Sequence, residues 1–155
     1  MHEAVVPTAH IGETVNGFVI PDQVEVTQQR GSGPLAAKMG IYFIEQSAEY
    51  SLAVMPVAGN EQPIGLLHGG AHCVLGEAMG SMAANLHART KGRFAVGIDL
   101  NATHTGSIRS GWVTGECRAI KLGGALTVHE ILITNEAGER LSTVRITNLL
   151  RERRD

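Results

Sequence analysis

The stretch from residue 70 to about residue 89 restricts the fold more than any other part of the sequence, because it is the only long helical candidate. It contains no proline, and its apolar residues recur on nearly every face of a helix: Ala71, Val74, Leu75, Ala78, Met79, Met82, Ala83 and Leu86. A helix that is apolar on almost all sides is normally buried inside a protein. We therefore expect the rest of the chain to surround this one helix.

Strand candidates lie on both sides of the helix. Alternating apolar residues predict two strands before it, near residues 39–44 and 50–55, with a turn at about 46–48. Four more candidates follow it, at residues 94–103, 112–120, 126–134 and 140–149. The short connections between them favour antiparallel hairpins. The sequence thus predicts an α+β domain over residues 38–155, in which an antiparallel sheet wraps around one central helix.

Residues 1–37 are interpreted as an N-terminal arm. They have weak periodicity and several glycines and prolines, and they include a short helix or strand candidate near residues 15–20. The predicted sheet covers one face of the helix and leaves the other face in need of a partner. Only 18% of the residues are charged, which is low for a fully solvated surface. Self-association, at least into a dimer, is therefore expected.

Composition argues against several classes of partner. The formal net charge is −2, so no basic field is present to bind nucleic acid. Arg151, Arg153 and Arg154 are interpreted as a solvated tail, with contact to a phosphate-bearing ligand as the alternative. Cys73 and Cys117 do not suggest a disulfide framework and are expected to be reduced. The sequence shows no secretory signal and no apolar run of about 20 residues, so a cytoplasmic protein without a membrane partner is expected.

Glu77 is the first candidate catalytic residue. It is the only acidic residue between Glu61 and Asp99, and it lies in the middle of the apolar helix. Its neighbours four residues away, Cys73 and Ser81, are small and partly polar, which favours a groove over a packed ridge. A carboxylate in such a groove is suited to act as a nucleophile or a general base. A lone helical glutamate is, however, more often exposed or salt-bridged.

Gly69 and Gly70 form a second candidate feature at the start of the helix. Unpaired N–H groups point outward there, and glycine lets a ligand approach the backbone closely. A carbonyl oxygen placed against these donors would be stabilised as it became an oxyanion; the alternative is a simple turn. Glu77 lies two turns further on, roughly 10 Å by helical rise. A groove between antiparallel helices of a dimer would bring Gly69 of one subunit towards Glu77 of the other.

Other chemistries receive less support. His68 and His72 have the spacing of two zinc ligands, with Glu77 as a third, but the His-Glu-x-x-His motif is absent. No Gly-x-Ser-x-Gly elbow is present, so a serine nucleophile is not supported. His104 ends a strand candidate and is equally compatible with a pocket wall or an exposed surface.

A resemblance to a known family rests on the segment around the glycine pair. Residues 62–70 read Gln-Pro-Ile-Gly-Leu-Leu-His-Gly-Gly, and Glu77 follows the histidine by nine positions. This combination resembles the hotdog-fold acyl-CoA thioesterases related to the phenylacetate-pathway enzyme. Within them the sequence is most similar to the branch of 1,4-dihydroxy-2-naphthoyl-CoA thioesterase and the second type of 4-hydroxybenzoyl-CoA thioesterase. Residues 96–104, 122–124 and 140–145 also agree, so the resemblance covers roughly residues 39–150.

The resemblance implies catalytic roles for four residues. Glu77 matches the catalytic carboxylate, and Gly69 matches the residue whose N–H binds the thioester carbonyl. His68 stands beside that donor, and Gln62 matches an amide that positions the thioester or the water.

Contacts with the substrate follow from the same resemblance. Ser81 matches a hydroxyl residue near the carboxylate of the partner subunit, and His104 matches a pocket-lining position. Gly124 and Ala125 stand where the hydroxybenzoyl enzyme has hydroxyl residues at the nucleotide end of coenzyme A, so Ser107, Arg109 and the C-terminal arginines become candidates for anchoring that end. The predicted substrate-binding residues are Ser81, His104, Gly70, Asn85, Ser107, Arg109, Gly123 and Gly124.

The expected activity is hydrolysis of an acyl-CoA with an aromatic or short acyl group. The family forms homotetramers, each a dimer of dimers, and uses no metal or organic cofactor. Two alternatives remain: a hotdog hydratase or dehydratase, and a non-catalytic acyl-CoA-binding protein. The hydratases carry their histidine on a segment distinct from the glycine pair. A binding regulator would need an additional DNA-binding or partner module, which is not visible in this sequence.

Overall fold

The computed structural model describes residues 4–152, and the order of its elements matches the sequence pattern. Four short elements come first: β1 Thr14–Val15, β2 Phe18–Val19, α1 Gln23–Val26 and α2 Pro34–Met39. The remaining elements are β3 Tyr42–Gln46, β4 Tyr50–Pro56, α3 Gly69–Arg89, β5 Arg93–His104, β6 Trp112–Leu122, β7 Leu126–Thr134 and β8 Arg140–Glu152. The predicted long helix and all six predicted strands are therefore confirmed.

Strands β3 to β8 form one antiparallel sheet in the order β3-β4-β6-β7-β8-β5, and this sheet wraps around α3. Leu75 and Met79 of α3 have no exposed surface and share one apolar cluster with Ile131 of β7 and Val144 of β8. A helix with apolar residues on most faces suits this position, because the sheet removes much of its surface from water. The arrangement is the predicted hotdog fold.

Two glycines of α3 allow the helix to lie close to β8. A Cβ atom at Gly76 would lie 2.5 Å from Val144 Cγ1, and a Cβ atom at Gly80 would overlap Ile146. Both overlaps are with branched side chains of the core, which have little room to move. The small residues of α3 therefore fix its distance from the sheet, and with it the position of Glu77.

Strand β5 forms one edge of the sheet and lies beside β8. Within the described residues, no strand pairs with its other side. The register with β8 shifts between Gly97 and Asp99, so a β-bulge interrupts the strand there. Ile98, inside this bulge, is 55% exposed. A long edge strand with an exposed apolar residue is well suited to pairing with a second chain.

The N-terminal arm packs against the opposite edge. The carboxamide of Gln23 is fully buried, donating to the carbonyl of Phe43 and accepting from its N–H. These two bonds pair the backbone N–H and carbonyl of Phe43 at the edge of β3, as a neighbouring strand would. The predicted element near residues 15–20 is a short hairpin made by β1 and β2. The predicted boundary between residues 37 and 38 falls inside α2, and the division into arm and domain stays a prediction.

Both cysteines are free thiols, as expected for reduced residues. Burial raises the pKa of Cys117 to about 12, so this thiol stays protonated and unreactive at neutral pH. Among residues 4–152, none of the helices combines the length and the apolar character that a bilayer crossing requires.

Candidate active site

Glu77 lies half-buried on α3 and points at the bulged part of β5. Its Oε1 atom accepts a hydrogen bond of 3.2 Å from Ser81 Oγ, one turn further along the helix. No Lys or Arg of the described residues forms an ion pair with it. The salt-bridged interpretation of this glutamate is therefore not supported, and its carboxylate oxygens are free for another partner.

Gly97 makes the room that the Glu77 carboxylate occupies. A Cβ atom at this position would lie 2.7 Å from Glu77 Oε1, which is closer than real Cβ contacts come. An isolated glycine in a strand pattern indicates a bulge or a close approach, and here it marks both. Gly97 was not among the residues singled out from the sequence, although this signal was present.

Asn148 of β8 lies behind Ser81 and has no exposed surface. Its Oδ1 atom is 3.4 Å from Ser81 Oγ, while its Nδ2 atom has no hydrogen-bond partner among the described residues. A hydroxyl carries one proton, so Ser81 cannot donate to both Asn148 and Glu77. With the carboxamide turned by 180°, Nδ2 would donate to Ser81 Oγ, and Ser81 would donate to Glu77. Asn148 was also missed, because next to Thr147 it resembles an ordinary polar residue of a strand.

The start of α3 provides one free backbone donor. His68 is the N-cap, and its Nδ1 atom accepts a 2.8 Å bond from the N–H of Gly70. The N–H of Gly69 is bonded to no acceptor within the described chain. Of the two donors expected from the glycine pair, Gly69 is therefore available to a carbonyl oxygen, and Gly70 is already engaged.

His104 stands beside this donor at the end of β5. Its Nε2 atom would lie 3.0 Å from a Cβ atom on Gly69, and Ser142 Oγ lies 3.2 Å from its Nδ1 atom. The ring of His72 is 5.1 Å from the ring of His104. His72 is nearly fully buried, and burial, with a smaller contribution from His104, lowers its pKa to about 4. His72 is therefore neutral at physiological pH.

The three proposed zinc ligands do not come together. Within residues 4–152, no group of three His, Cys, Asp or Glu side chains could hold a metal ion. His68 already accepts from a backbone N–H through Nδ1, and His72 is a core residue.

The predicted residues fall into separate regions of one chain. Glu77 lies over Gly97, whereas Gly69 lies beside His104, seven residues further along the same strand. Ser107 and Arg109 are exposed in the loop after β5, where Arg109 donates to the carbonyl of Ile64 at 2.9 Å. Gln62, half-buried in the loop before α3, accepts through its backbone carbonyl from the N–H of Gly65. One chain alone does not bring the carboxylate and the carbonyl donor to the same point.

Three further candidates lie near the C-terminal end of α3. The amide of Asn85 donates to the carbonyls of Ser81 and Ala95 and accepts from the N–H of Ala95, so it ties α3 to β5. The carbonyls of Gly123 and Gly124 accept bonds from His87 and Arg93. Substrate contacts by these residues, and by Arg151, stay predictions. Arg153 and Arg154 lie outside the described residues.

A cavity of about 210 Å³ lies between the N-terminal arm and α3. Ser81, which bonds Glu77, forms part of its wall. Its lining consists of Thr27, Arg30, Gly31, Gln46, Ser81, Met82, Asn85, Leu86 and Arg89. Sequence analysis did not assign Arg30, Gln46 or Arg89 to a site, because residues so far apart in the sequence are joined only by the fold.

Comparison with known proteins places the chain beside several thioesterases. Residues 64–142 match the family model described as "Thioesterase superfamily". The proofreading thioesterase EntH of Klebsiella pneumoniae is 43% identical over 113 residues, covering 72% of this chain and 82% of that protein. The crystal structure of a mutant thioesterase, PA1618 of Pseudomonas aeruginosa, has a TM-score of 0.75 and 36% identity, covering 84% of this chain and 94% of that one. The crystal structure of thioesterase HI1161 of Haemophilus influenzae has a TM-score of 0.73 and 34% identity, covering 78% of this chain and 85% of that one.

Proposed function

Because the chain belongs to the thioesterase superfamily and is a thioester hydrolase, we propose that it hydrolyses an acyl-CoA through Glu77 and Gly69. The observation that carries this proposal is the environment of the Glu77 carboxylate. It is half-buried, accepts a hydrogen bond from Ser81, and forms no ion pair with a Lys or Arg of the described residues. A carboxylate without a structural partner keeps its lone pairs for chemistry.

In the proposed reaction the carbonyl oxygen of the thioester binds the free N–H of Gly69. Glu77 either attacks the carbonyl carbon directly or removes a proton from an attacking water. The electron pair of the C=O bond moves onto oxygen, where the N–H and the positive end of the α3 dipole stabilise it. As the carbonyl re-forms, the C–S bond breaks and coenzyme A leaves as the thiolate, which then takes up a proton. In the direct route, water subsequently cleaves the anhydride between the acyl group and Glu77.

The proposed site is completed by a second copy of the chain. The unpaired side of β5 allows two copies to pair antiparallel, which reverses the direction of one β5 relative to the other. The region around Gly97 and Glu77 of one copy then lies towards the region around His104 and Gly69 of the other. This pairing would give two equivalent sites per dimer, and two such dimers would form the expected tetramer.

Mixing two inactive variants tests the shared site. In a mixed dimer of Glu77→Gln and Gly69→Ala chains, one site would combine the unaltered Glu77 with the unaltered Gly69. Random mixing after reversible dissociation should restore about a quarter of the wild-type rate per site. If both residues act within one chain, no mixture recovers activity. An active monomer in light scattering at micromolar concentration would also contradict the shared site.

The activity itself is tested with a panel of acyl-CoAs and a thiol reagent that reports released coenzyme A. We expect benzoyl-CoA and hexanoyl-CoA to have higher kcat/KM values than palmitoyl-CoA. A cavity of about 210 Å³ exceeds the 150 Å³ that admits benzene, but a long chain would extend beyond it. Palmitoyl-CoA turning over an order of magnitude faster would refute the branch assignment. A hydratase would alter an enoyl-CoA without releasing thiol.

The Glu77→Gln variant tests whether the Glu77 carboxylate is catalytic or structural. If Glu77 is catalytic, kcat should fall by about 10³-fold while KM and the melting temperature change little. If it held a buried cation instead, the variant should lose about 3–5 kcal/mol of stability. Glu130→Gln, an exposed substitution on β7, is the control and should retain full activity. A stable Glu77→Gln protein with most of its rate intact would remove the basis of this proposal.

A further inference from the structure

The cavity between the arm and α3 has a wall that the thioesterase reaction does not require. Thr27, Arg30 and Gly31 come from the arm, while the opposite wall is α3, from Ser81 to Arg89. Because Ser81 lines the cavity and bonds Glu77, the cavity begins one side chain away from the carboxylate at which the proposed function places the thioester carbonyl carbon. A group attached to that carbon would therefore extend into the cavity.

Two arginines give this cavity a positive charge. Arg30 and Arg89 both line it, and none of the acidic residues between positions 4 and 152 does. Neither arginine forms an ion pair with any carboxylate of residues 4–152. Arg30 is exposed and Arg89 is half-buried, so both guanidinium groups are available to an anion bound in the cavity. Guanidinium groups bind carboxylates through paired, charge-assisted hydrogen bonds, so a carboxylate is the ligand they fit best.

Gln46 supplies an independent indication. Its Nε2 atom is buried and has no hydrogen-bond partner among the described residues, although the side chain lines the cavity. A buried amide donor without an acceptor costs about 1–3 kcal/mol. An acceptor oxygen in the cavity would satisfy it.

We propose that this cavity binds the distal end of the acyl group and that Arg30 and Arg89 select acyl groups ending in a carboxylate. The inference rests on the proposed function, since it places the thioester carbonyl at Glu77. Arg89 lies two turns beyond Ser81 on α3, about 12 Å by helical rise, and long side chains of a helix lean towards its N-terminus. Because Arg89 and Ser81 line the same cavity, an acyl group that passes Ser81 can place its far end within reach of the Arg89 guanidinium. The substrate class is a compact half-thioester of a dicarboxylic acid.

The experiment compares adipoyl-CoA with hexanoyl-CoA, which have equal chain length and differ in the terminal carboxylate. The full-length wild-type protein should have a kcat/KM at least 10-fold higher for adipoyl-CoA. Arg30→Gln combined with Arg89→Gln should lower the rate on adipoyl-CoA by about 10- to 100-fold, the range for losing charge-assisted hydrogen bonds. The rate on hexanoyl-CoA should stay within about twofold. The two single variants should each have a smaller effect.

Arg118→Gln is the matched control. It removes one positive charge from β6, where Arg118 pairs with Glu116 away from the cavity, and should leave the adipoyl-to-hexanoyl ratio unchanged. Thermal melting of every variant checks that the fold is retained. If the wild-type protein shows no preference for adipoyl-CoA, or if the double variant keeps that preference, the inference is overturned.

Coenzyme A also carries anions, and a second pair of substrates separates the two sources. Adipoyl and hexanoyl thioesters of N-acetylcysteamine lack the nucleotide and its phosphates. If the wild-type protein still prefers the adipoyl group in these short thioesters and the double variant loses that preference, recognition of the acyl carboxylate is supported. If the double variant instead hydrolyses adipoyl-CoA and hexanoyl-CoA equally more slowly than the wild type, but keeps the wild-type rate on both short thioesters, the arginines bind coenzyme A and the inference is overturned. Hydrolysis of hexanoyl-CoA that depends on Glu77 shows separately whether the proposed function holds.

Discussion

Replacing Gly97 with alanine should separate the activity of this protein from its stability. The added Cβ atom would lie 2.7 Å from Glu77 Oε1, whereas ordinary contact begins at 3.4 Å. The carboxylate must therefore move by about 0.7 Å, and a misplacement of about 1 Å can cost 10²-fold in rate. No positive φ is required at Gly97, so alanine fits the backbone. Because the displaced atom is the free end of a flexible side chain, the fold should be little affected.

We expect kcat of Gly97→Ala to fall by about 10- to 100-fold, with a melting temperature within about 2 °C of wild type. The assay is acyl-CoA hydrolysis with a thiol reagent, combined with thermal unfolding followed by circular dichroism. Gly115→Ala is the matched control, since its Cβ atom would lie 2.6 Å from Met79 Sδ in the core. This control should lose about 1–3 kcal/mol of stability through overpacking while the folded protein keeps its kcat. A Gly97→Ala protein with wild-type kcat would refute the assignment of this position to the site.

Three further changes have defined outcomes. Gly69→Ala should retain the fold, because no positive φ is required there. The N–H remains, but the added Cβ atom would lie 3.0 Å from His104 Nε2 and would crowd a carbonyl oxygen placed against that N–H. We therefore expect kcat to fall by roughly 10²–10³-fold, as for the loss of one oxyanion donor; unchanged turnover would mean that the glycine is merely a turn. Asn148→Leu removes the donor behind Ser81 and should lower kcat by about 10-fold at similar KM, with little change in stability because the loss of the hydrogen bond to Ser81 is offset by the removal of a buried polar group; a wild-type kcat would exclude the positioning role. Since burial lowers the pKa of His72 from 6.5 to about 4, the unfolded state binds more protons between these values, and the stability present above pH 6.5 should decline as the pH falls towards 4. The loss should be about 2 kcal/mol after allowance for solvent screening, and His72→Leu should flatten this decline in urea unfolding.

The elements of the fold were predictable because local pattern determines them. The all-round apolar character of residues 70–89 predicted a buried helix, and the alternation in the flanking segments predicted the six strands. Glu77 stood out in the sequence for a related reason, since one acid in an apolar helix has no structural purpose unless a partner is present; its catalytic role stays a prediction. The His-Gly-Gly segment predicted the helix start, where His68 is indeed the cap.

Contacts between distant segments were not predictable, because they depend on how closely α3 approaches the sheet. Gly97 touches Glu77 only because the glycines of α3 bring the helix down onto β8 and β5. Asn148 was an ordinary polar residue in the sequence, and its burial behind Ser81 follows from the register of β8 with β5.

Tertiary structure also decided which predicted donors are free. Two adjacent glycines look equivalent in the sequence, yet the ring of His68 occupies the N–H of Gly70 and leaves that of Gly69 available. Arg30 and Arg89 are 59 positions apart, and only the docking of the arm on α3 places both on one cavity. Periodicity along the chain therefore determined the elements of this protein, whereas the short distances between those elements decided which side chains can act together.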